Sequence, residues 1–397
     1  MKILEVTPDF PPVVRGGGAQ TFYLLANSWV RLGHQVTVVT SCPINKIRMF
    51  QGVGNVFDLH PFPLINPIKR YENLEYYMPM GFSSMRSYRK YLKANMKDFD
   101  LIVVHGFLET LPLISLLTLD RVALSKVVLT NHGLSTAEYS PKIHLISRMA
   151  HKYLARIVLS RVSNVVMYSK SAMSEFIEFY PNKSTDSLRL HSLGIDADDF
   201  RNSFNVYMEN NQQLMSKLAP AKAKPFFLAV GRNAKIKGFD IVIRALSLIS
   251  MDNYHPVLLI AGDRTPYTEQ LEILANNLGL CSQVRFLGRI NEVEKLSLMA
   301  ECQALVIPSL KEGYGINAME GRILGIPVIA TRTGAHGEIL SEYPHGTIIP
   351  PNDVNALAAA MRKYTESLYR DRFYLNEEYL SSVDIKGLAE FYLEFAK

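Results

Sequence analysis

One rhythm constrains this chain more than any other feature: apolar runs of strand length alternate with longer stretches of helical period, and the pattern runs through twice. The first pass opens with KILEVT from Lys2, a helical stretch from Ala19 to Leu32 and the β-branched run QVTVVT. It continues through LIVVHG from Leu101, KVVLTNHG from Lys126, a helix across 143–159, VVMYS from Val165 and a helix to Tyr180. Alternating strands and helices of this size build a parallel sheet covered by helices on both faces. Residues 201–224 then interrupt with NNQQ, Pro220 and AKAK, a composition that reads as a linker. The second pass is FFLAVG, a helix from Phe239, PVLLIAG, a helix from Thr268, VRFLG, a helix from Glu292, ALVIPS, a helix from Ile316, PVIAT and GTIIP.

The expected fold is therefore α/β: two tandem, doubly wound, Rossmann-like domains over 1–200 and 225–375, joined by the linker 201–224. The remaining segment, 376–397, ends in a helix whose Leu388, Phe391, Tyr392 and Phe395 form an apolar stripe suited to packing on the first domain. Ligands of open parallel sheets bind beyond the carboxyl ends of the strands, so the two domains are expected to face each other across a cleft.

Composition narrows the class. A length of 397 residues holds two to three domains of roughly 150, and 48% apolar with 20% charged residues excludes a disordered, collagenous or coiled-coil chain. The most apolar stretch, Leu111 to Thr130, is broken by Asp120, Arg121 and Lys126, so no membrane span is expected. MKILEVTPDFPP is too short an apolar start for a signal peptide, and the expected location is the cytoplasm. Cys42, Cys281 and Cys302 are odd in number and lack metal-ligand spacing, which reads as buried reduced thiols. Residues 1–200 carry 22 Lys and Arg against 16 Asp and Glu, and the rest 21 against 21, so the excess of +6 lies in the first half. An anionic partner there and a merely solvated basic face are both compatible with it.

Three motifs carry chemistry. Gly16, Gly17 and Gly18 stand between the first strand and the first helix, where backbone N–H groups and a helix start can receive an anion. They come late after the strand, position 21 is Thr, and the second strand runs into Ser41 and Cys42 without an acid, all of which argue against a nicotinamide site. In GRNAKIKG, Arg232 and Lys237 leave the end of a strand, and two cations there suit a diphosphate. In PSLKEGYGINAMEGRILGIPVIATRTGAHGEIL a strand passes through a Gly-rich turn into a helix, with Glu312 before the turn and Glu320 inside the helix among Ala318, Met319 and Ile323. A carboxylate accepts two hydroxyl hydrogen bonds, which a vicinal diol of a sugar or ribose offers.

The Glu-x7-Glu arrangement, the upstream GRxxxxKG, the N-terminal GGG loop, His132 in TNHG and SLGIDADDF together resemble the retaining glycosyltransferases of family 4, which have the GT-B fold. The resemblance covers nearly the whole chain in order. It implies that Glu312 meets donor-sugar hydroxyls and Glu320 the nucleotide ribose, and that Gly313, Tyr314, Gly315, Ile316 and Asn317 offer backbone donors to phosphate and sugar. It further implies that Arg232 and Lys237 neutralise the leaving diphosphate, the Gly16–Gly18 loop closes over it and His132 lies beside the sugar. The base would rest on the backbone near Gly288, Arg289 and Ile290. Two departures stand out: Gly321 follows the second glutamate where the family has Ala, and Leu193 precedes Gly194 where it has Asn.

The run Asp196-Ala-Asp198-Asp199 imitates a metal-binding Asp-x-Asp but reads as a turn and helix start. With two cations already in place, no metal or other cofactor is expected. From Met85 to Phe99, Arg86, Arg89, Lys90, Lys93 and Lys97 share one helical face and Met85, Tyr88, Leu92, Met96 and Phe99 another. With Phe62, Tyr71, Tyr76, Tyr77 and Phe82 nearby, this basic amphipathic helix suits an anionic membrane surface or a lipid-linked acceptor, and equally a core-packed helix with a solvated face. The expected activity is transfer of a hexosyl unit from a UDP- or GDP-linked sugar to a hydroxyl acceptor, with no nucleic-acid partner. An epimerase or phosphorylase on the same architecture, or a two-lobed binding protein, are the alternatives.

Overall fold

The computed structural model describes residues 1–12, 17–43, 58–64, 82–107, 109–131, 153–218, 225–250, 255–365 and 374–396. They form two compact units, Met1–Asp196 with Val383–Lys397, and Ala197–Ser382.

The first unit carries the strands β1 (Lys2–Thr7), β2 (Gln35–Pro43), β3 (Asp58–Leu64), β4 (Leu101–His105), β5 (Val127–Asn131), β6 (Asn164–Met167) and β7 (Leu188–Leu190). All pair in parallel, in the order β3-β2-β1-β4-β5-β6-β7. Its helices are α1 (Gly17–Arg31), α2 (Phe82–Asn95), α3 (Thr110–Thr118), α4 (Arg121–Ser125), α5 (153–159) and α6 (Lys170–Phe179). Tyr88 and Leu92 of α2, Leu111 and Leu116 of α3 and Phe176 of α6 join strand residues such as Val104 and Leu129 in one core.

The second unit adds α7 (Ala197–Leu218), β8 (Phe226–Val230), α8 (Phe239–Ile249), β9 (Val257–Ala261), α9 (Pro266–Asn277), β10 (Val284–Gly288), α10 (Glu292–Glu301) and β11 (Ala304–Ile307). It continues with α11 (Ile316–Ile323), β12 (Val328–Thr331), α12 (His336–Ile339), β13 (Gly346–Ile349), α13 (Val354–Thr365) and α14 (Glu377–Ser382). The sheet order β10-β9-β8-β11-β12-β13, parallel throughout, is the 3-2-1-4-5-6 order of a dinucleotide-type Rossmann fold.

The linker expected over 201–224 is corrected here. Residues 201–218 belong to α7, which packs on α10, with the buried Tyr207 donating its hydroxyl to Glu301 Oε1 at 2.9 Å. Asn and Gln cost a helix only a few tenths of a kcal/mol each relative to Ala, about 0.7 at most, and Asp198 and Asp199 in the first turn favour the helix start. The unit boundary accordingly falls at Asp196, where the side chain meets Arg31 at 2.6 Å, and not inside the polar run.

The segment 376–397 is divided in the same way. Helix α14 stays with the second unit, whereas the last helix, α15 (Ile385–Leu393), lies against α1 in the first. Trp29 Nε1 donates to the Ala389 carbonyl at 3.0 Å, and the hydroxyls of Tyr168 and Tyr392 meet at 2.8 Å. A side chain at Gly194 would place its Cβ 2.5 Å from the Ile385 Cα, so the strap returning to the first unit requires glycine there.

Candidate active site

The site of the second unit is built from the carboxyl ends of β8 and β11. Beyond β8 the chain passes Gly231 and the half-buried Arg232 and closes a 3-10 turn, Lys235–Lys237, on Gly238 at φ 66°. A Cβ at Gly238 would lie 2.1 Å from the Pro308 carbonyl oxygen, so the turn is pressed against the end of β11. That contact brings Lys237 to Glu312. Its Nζ donates to Oε1 at 2.9 Å and to Oε2 at 2.8 Å, and the Ser309 hydroxyl also donates to Oε2 at 2.9 Å. Burial alone would raise the Glu312 carboxyl, but the Lys237 ammonium and its hydrogen bonds, with His336 and Ser309, hold it below its ordinary value. The pair therefore stabilises the fold above the unfolded carboxylate pKa, and the stabilisation is lost as pH falls through the lower folded one.

The Gly-rich turn follows. Gly315 has φ 115° and caps α11, and the buried imidazole of His336 occupies the space where a Cβ would stand. His336 Nδ1 donates to the Thr331 carbonyl at 2.9 Å, which fixes the ring, and burial lowers its pKa, leaving it neutral at pH 7. Asn317 donates its side-chain amide to the Val230 carbonyl at 2.9 Å, tying the start of α11 to the end of β8. The N–H groups of Ala318 and Met319 return to the Gly315 carbonyl, so those of Ile316 and Asn317 precede the first intrahelical bonds, at the positive end of the helix.

Glu320, in the second turn of α11, is 5% exposed. Its Oε1 accepts from Lys295 Nζ of α10 at 2.8 Å, while Oε2 is buried without a hydrogen-bond partner among the described residues. Lys295 also meets the exposed Glu292 at 2.6 Å. Burial pushes the Glu320 carboxyl up, the Lys295 ammonium opposes it, and Glu292 adds to the rise. The expectation for Glu320 foresaw a carboxylate among apolar neighbours. It did not foresee Lys295, which in the sequence is one charge among several on a short helix.

Residues 210–376 match the family Glycosyl transferases group 1, and residues 15–199 match Glycosyltransferase Family 4. The chain belongs to the glycosyltransferases of family 4. An uncharacterized glycosyltransferase of Methanocaldococcus jannaschii is 27% identical over 90% of this chain and 87% of its own length. Among solved structures, a glycosyltransferase from Rickettsia africae superposes with a TM-score of 0.75 at 20% identity, covering 100% of this chain and 98% of that one. Anabaena HepE in complex with UDP-glucose gives 0.71 at 18% identity, covering 99% and 98%. These likenesses establish the GT-B fold.

In this family 4 glycosyltransferase, Arg232, Lys237, Glu312, Gly313, Tyr314, Gly315, Ile316, Asn317 and Glu320 all lie on the loops and helix just described. His132 and Gly16 lie outside the described residues, while Gly17 and Gly18 open α1. Arg289 is exposed, and its side chain is held by Asp263 through two hydrogen bonds of 2.8 and 2.6 Å, so only its backbone and that of Ile290 are left for the role expected of them. Gly321 has a packing cause, since a Cβ there would come within 2.5 Å of the Val328 side chain. Asp196 and Asp198 are spent on Arg31 and Arg201, and no group of three or more His, Cys, Asp or Glu able to hold a metal occurs among the described residues.

On α2, Arg86, Arg89, Lys90 and Lys93 are exposed, whereas Tyr88 and Leu92 are fully buried. Phe62 packs on the Tyr88 ring at 4.7 Å between centroids, and Tyr71, Tyr76 and Tyr77 lie outside the described residues. The apolar face of this helix is thus spent in the core, and its basic face is the exposed one. No helix among the described residues is long and apolar enough to cross a membrane.

Proposed function

We propose that this glycosyltransferase moves a hexosyl unit, with retention, from a UDP- or GDP-linked sugar to a hydroxyl acceptor, and that it does so without a metal. The observation that carries the reading is the Lys237–Glu312 pair ahead of a helix that buries Glu320, beside the half-buried Arg232. Arg232 and Lys237 supply positive charge for the departing diphosphate. Glu312 and Glu320 supply acceptors for sugar and ribose hydroxyls, and the start of α11 supplies N–H donors. The departing diphosphate takes the acceptor's proton on the same face, so no protein base is needed. The likeness to a structure holding UDP-glucose supports the donor class.

A thermal-shift panel of UDP, GDP and their glucose, mannose and N-acetylglucosamine conjugates tests the reading. A ligand at about 100 times its Kd stabilises by about 2.7 kcal/mol, which at roughly 2–4 °C per kcal/mol raises Tm by about 5–10 °C. A flat panel, with no transfer from any of these donors, would overturn it.

The acceptor side of the same proposal is a lipid-linked or anionic acceptor at a membrane surface. Arg86, Arg89, Lys90 and Lys93 would dock electrostatically at about 1 kcal/mol each near an anionic leaflet, and at high salt the Debye length shortens and the attraction fades. Co-sedimentation with anionic vesicles is expected at low salt, with loss at high salt, on neutral vesicles and in the variant carrying Gln at all four positions. Equal sedimentation in every arm returns the basic face to the role of a solvated surface.

A further inference from the structure

We propose that Lys295 is a positioning residue for the nucleotide: it holds Glu320 as an ionised acceptor for the ribose diol, and it is itself held by Glu292. The proposal rests on the donor reading above. Its ground is geometry. Lys295 Nζ stands 2.8 Å from Glu320 Oε1 and 2.6 Å from Glu292 Oε2, its side chain is 15% exposed, and it bridges two helices that meet the ends of different strands. Of the two carboxylates, Glu292 is exposed to water, whereas the Glu320 side chain is only 7% exposed and has no other cation beside it among the described residues.

A buried carboxyl that loses its counter-ion takes up a proton, and a protonated carboxyl has fewer lone pairs to offer two hydroxyl donors. The charges acting on Glu320 are Lys295 and Glu292 of α10. Of the other helices against α11, α12 carries His336 and Glu338, and α14 carries Glu377, Glu378 and Tyr379. Removing the ammonium leaves burial and Glu292, both of which raise Glu320, so nucleotide affinity should then fall at neutral pH and return as pH rises.

The experiment is calorimetric, with whichever of UDP and GDP binds the wild-type chain and with its 2′,3′-dideoxy analogue. Lys295→Met is expected to bind the nucleotide tenfold to a hundredfold more weakly at pH 7 and to recover most of the loss by pH 9. Lys295→Arg, which keeps a cation, should bind within a few fold of wild type. Glu320→Gln should be weak at every pH. The dideoxy analogue, with no hydroxyls to offer, should bind wild type and Lys295→Met alike. Thermal unfolding establishes that each variant is folded, and Lys295→Gln replaces Lys295→Met if the latter is not. Unchanged affinity and pH profile without the ammonium overturns the proposal, as does an equal loss for the dideoxy analogue. If neither nucleotide binds wild type, the donor reading fails and the proposal falls with it.

Discussion

Turnover of Lys237→Ala should fall by two or more decades, and that of Arg232→Ala by a similar factor. Each decade corresponds to about 1.4 kcal/mol of lost transition-state stabilisation, and a cation facing a departing diphosphate acts most strongly where negative charge develops. Lys237→Ala has a second consequence that Arg232→Ala does not share. Glu312 keeps only the Ser309 hydroxyl among its hydrogen bonds to Oε2, and its carboxyl, at present held down by the ammonium, rises under burial. Hydrogen bonds to charged groups contribute about 1.5–3 kcal/mol, so this variant should also unfold at a lower temperature. Adding Glu312→Gln to it removes the unpaired charge and should restore part of the Tm while leaving turnover low. Single-turnover rates at saturating donor separate chemistry from affinity. Wild-type rates in both cation variants would remove the diphosphate role from these residues.

The parts of the fold that were readable in advance are those whose cause is local. Val, Ile and Leu runs such as LIVVH and VLLIA become fully buried strands because both sheet faces are covered. The edge strand β3 was not readable: DLHPFPL contains two prolines, which an edge position tolerates and a central strand does not. Helix α7 was missed because NNQQ resembles loop composition, while the signal for a helix lay in Tyr207, buried against another element. Glu5 shows the same limit. It stands in the middle of β1, fully buried, with His105 Nε2 at 2.8 Å across one hundred residues of sequence.

The candidate site divides along the same line. Glycines and carboxylates at fixed spacing were visible as a motif because the motif is contiguous. The contacts that set their chemistry are not contiguous: Lys237 reaches Glu312 across 75 positions and Lys295 reaches Glu320 across 25. His336 is in sequence only an imidazole between small residues in TGAHGE, and its role comes from a contact with Gly315, 21 positions earlier in the chain.

Gly315→Ala should consequently be a strongly damaging single-methyl change in the second unit's site. The added Cβ would stand 2.4 Å from Cδ2 and 2.6 Å from Nε2 of His336, a ring that cannot retreat because it is buried and fixed through Nδ1 to the Thr331 carbonyl. The backbone adds to this, since φ 115° is a conformation that L side chains rarely adopt. Strain of about 1–3 kcal/mol from the dihedral and a similar cost from overpacking together predict a Tm lower by roughly 5–20 °C at 2–4 °C per kcal/mol. Relief of the strain would turn the N–H groups of Ile316 and Asn317 away from the direction in which the proposed donor is placed, so on that proposal kcat/KM should fall by about two decades or more. The double variant Gly315→Ala with His336→Ala separates the two causes. It removes the overlap and leaves the dihedral, so part of the lost Tm should return while activity stays low. A Gly315→Ala protein with wild-type Tm and rate would show that the turn does not hold the geometry on which the donor site depends.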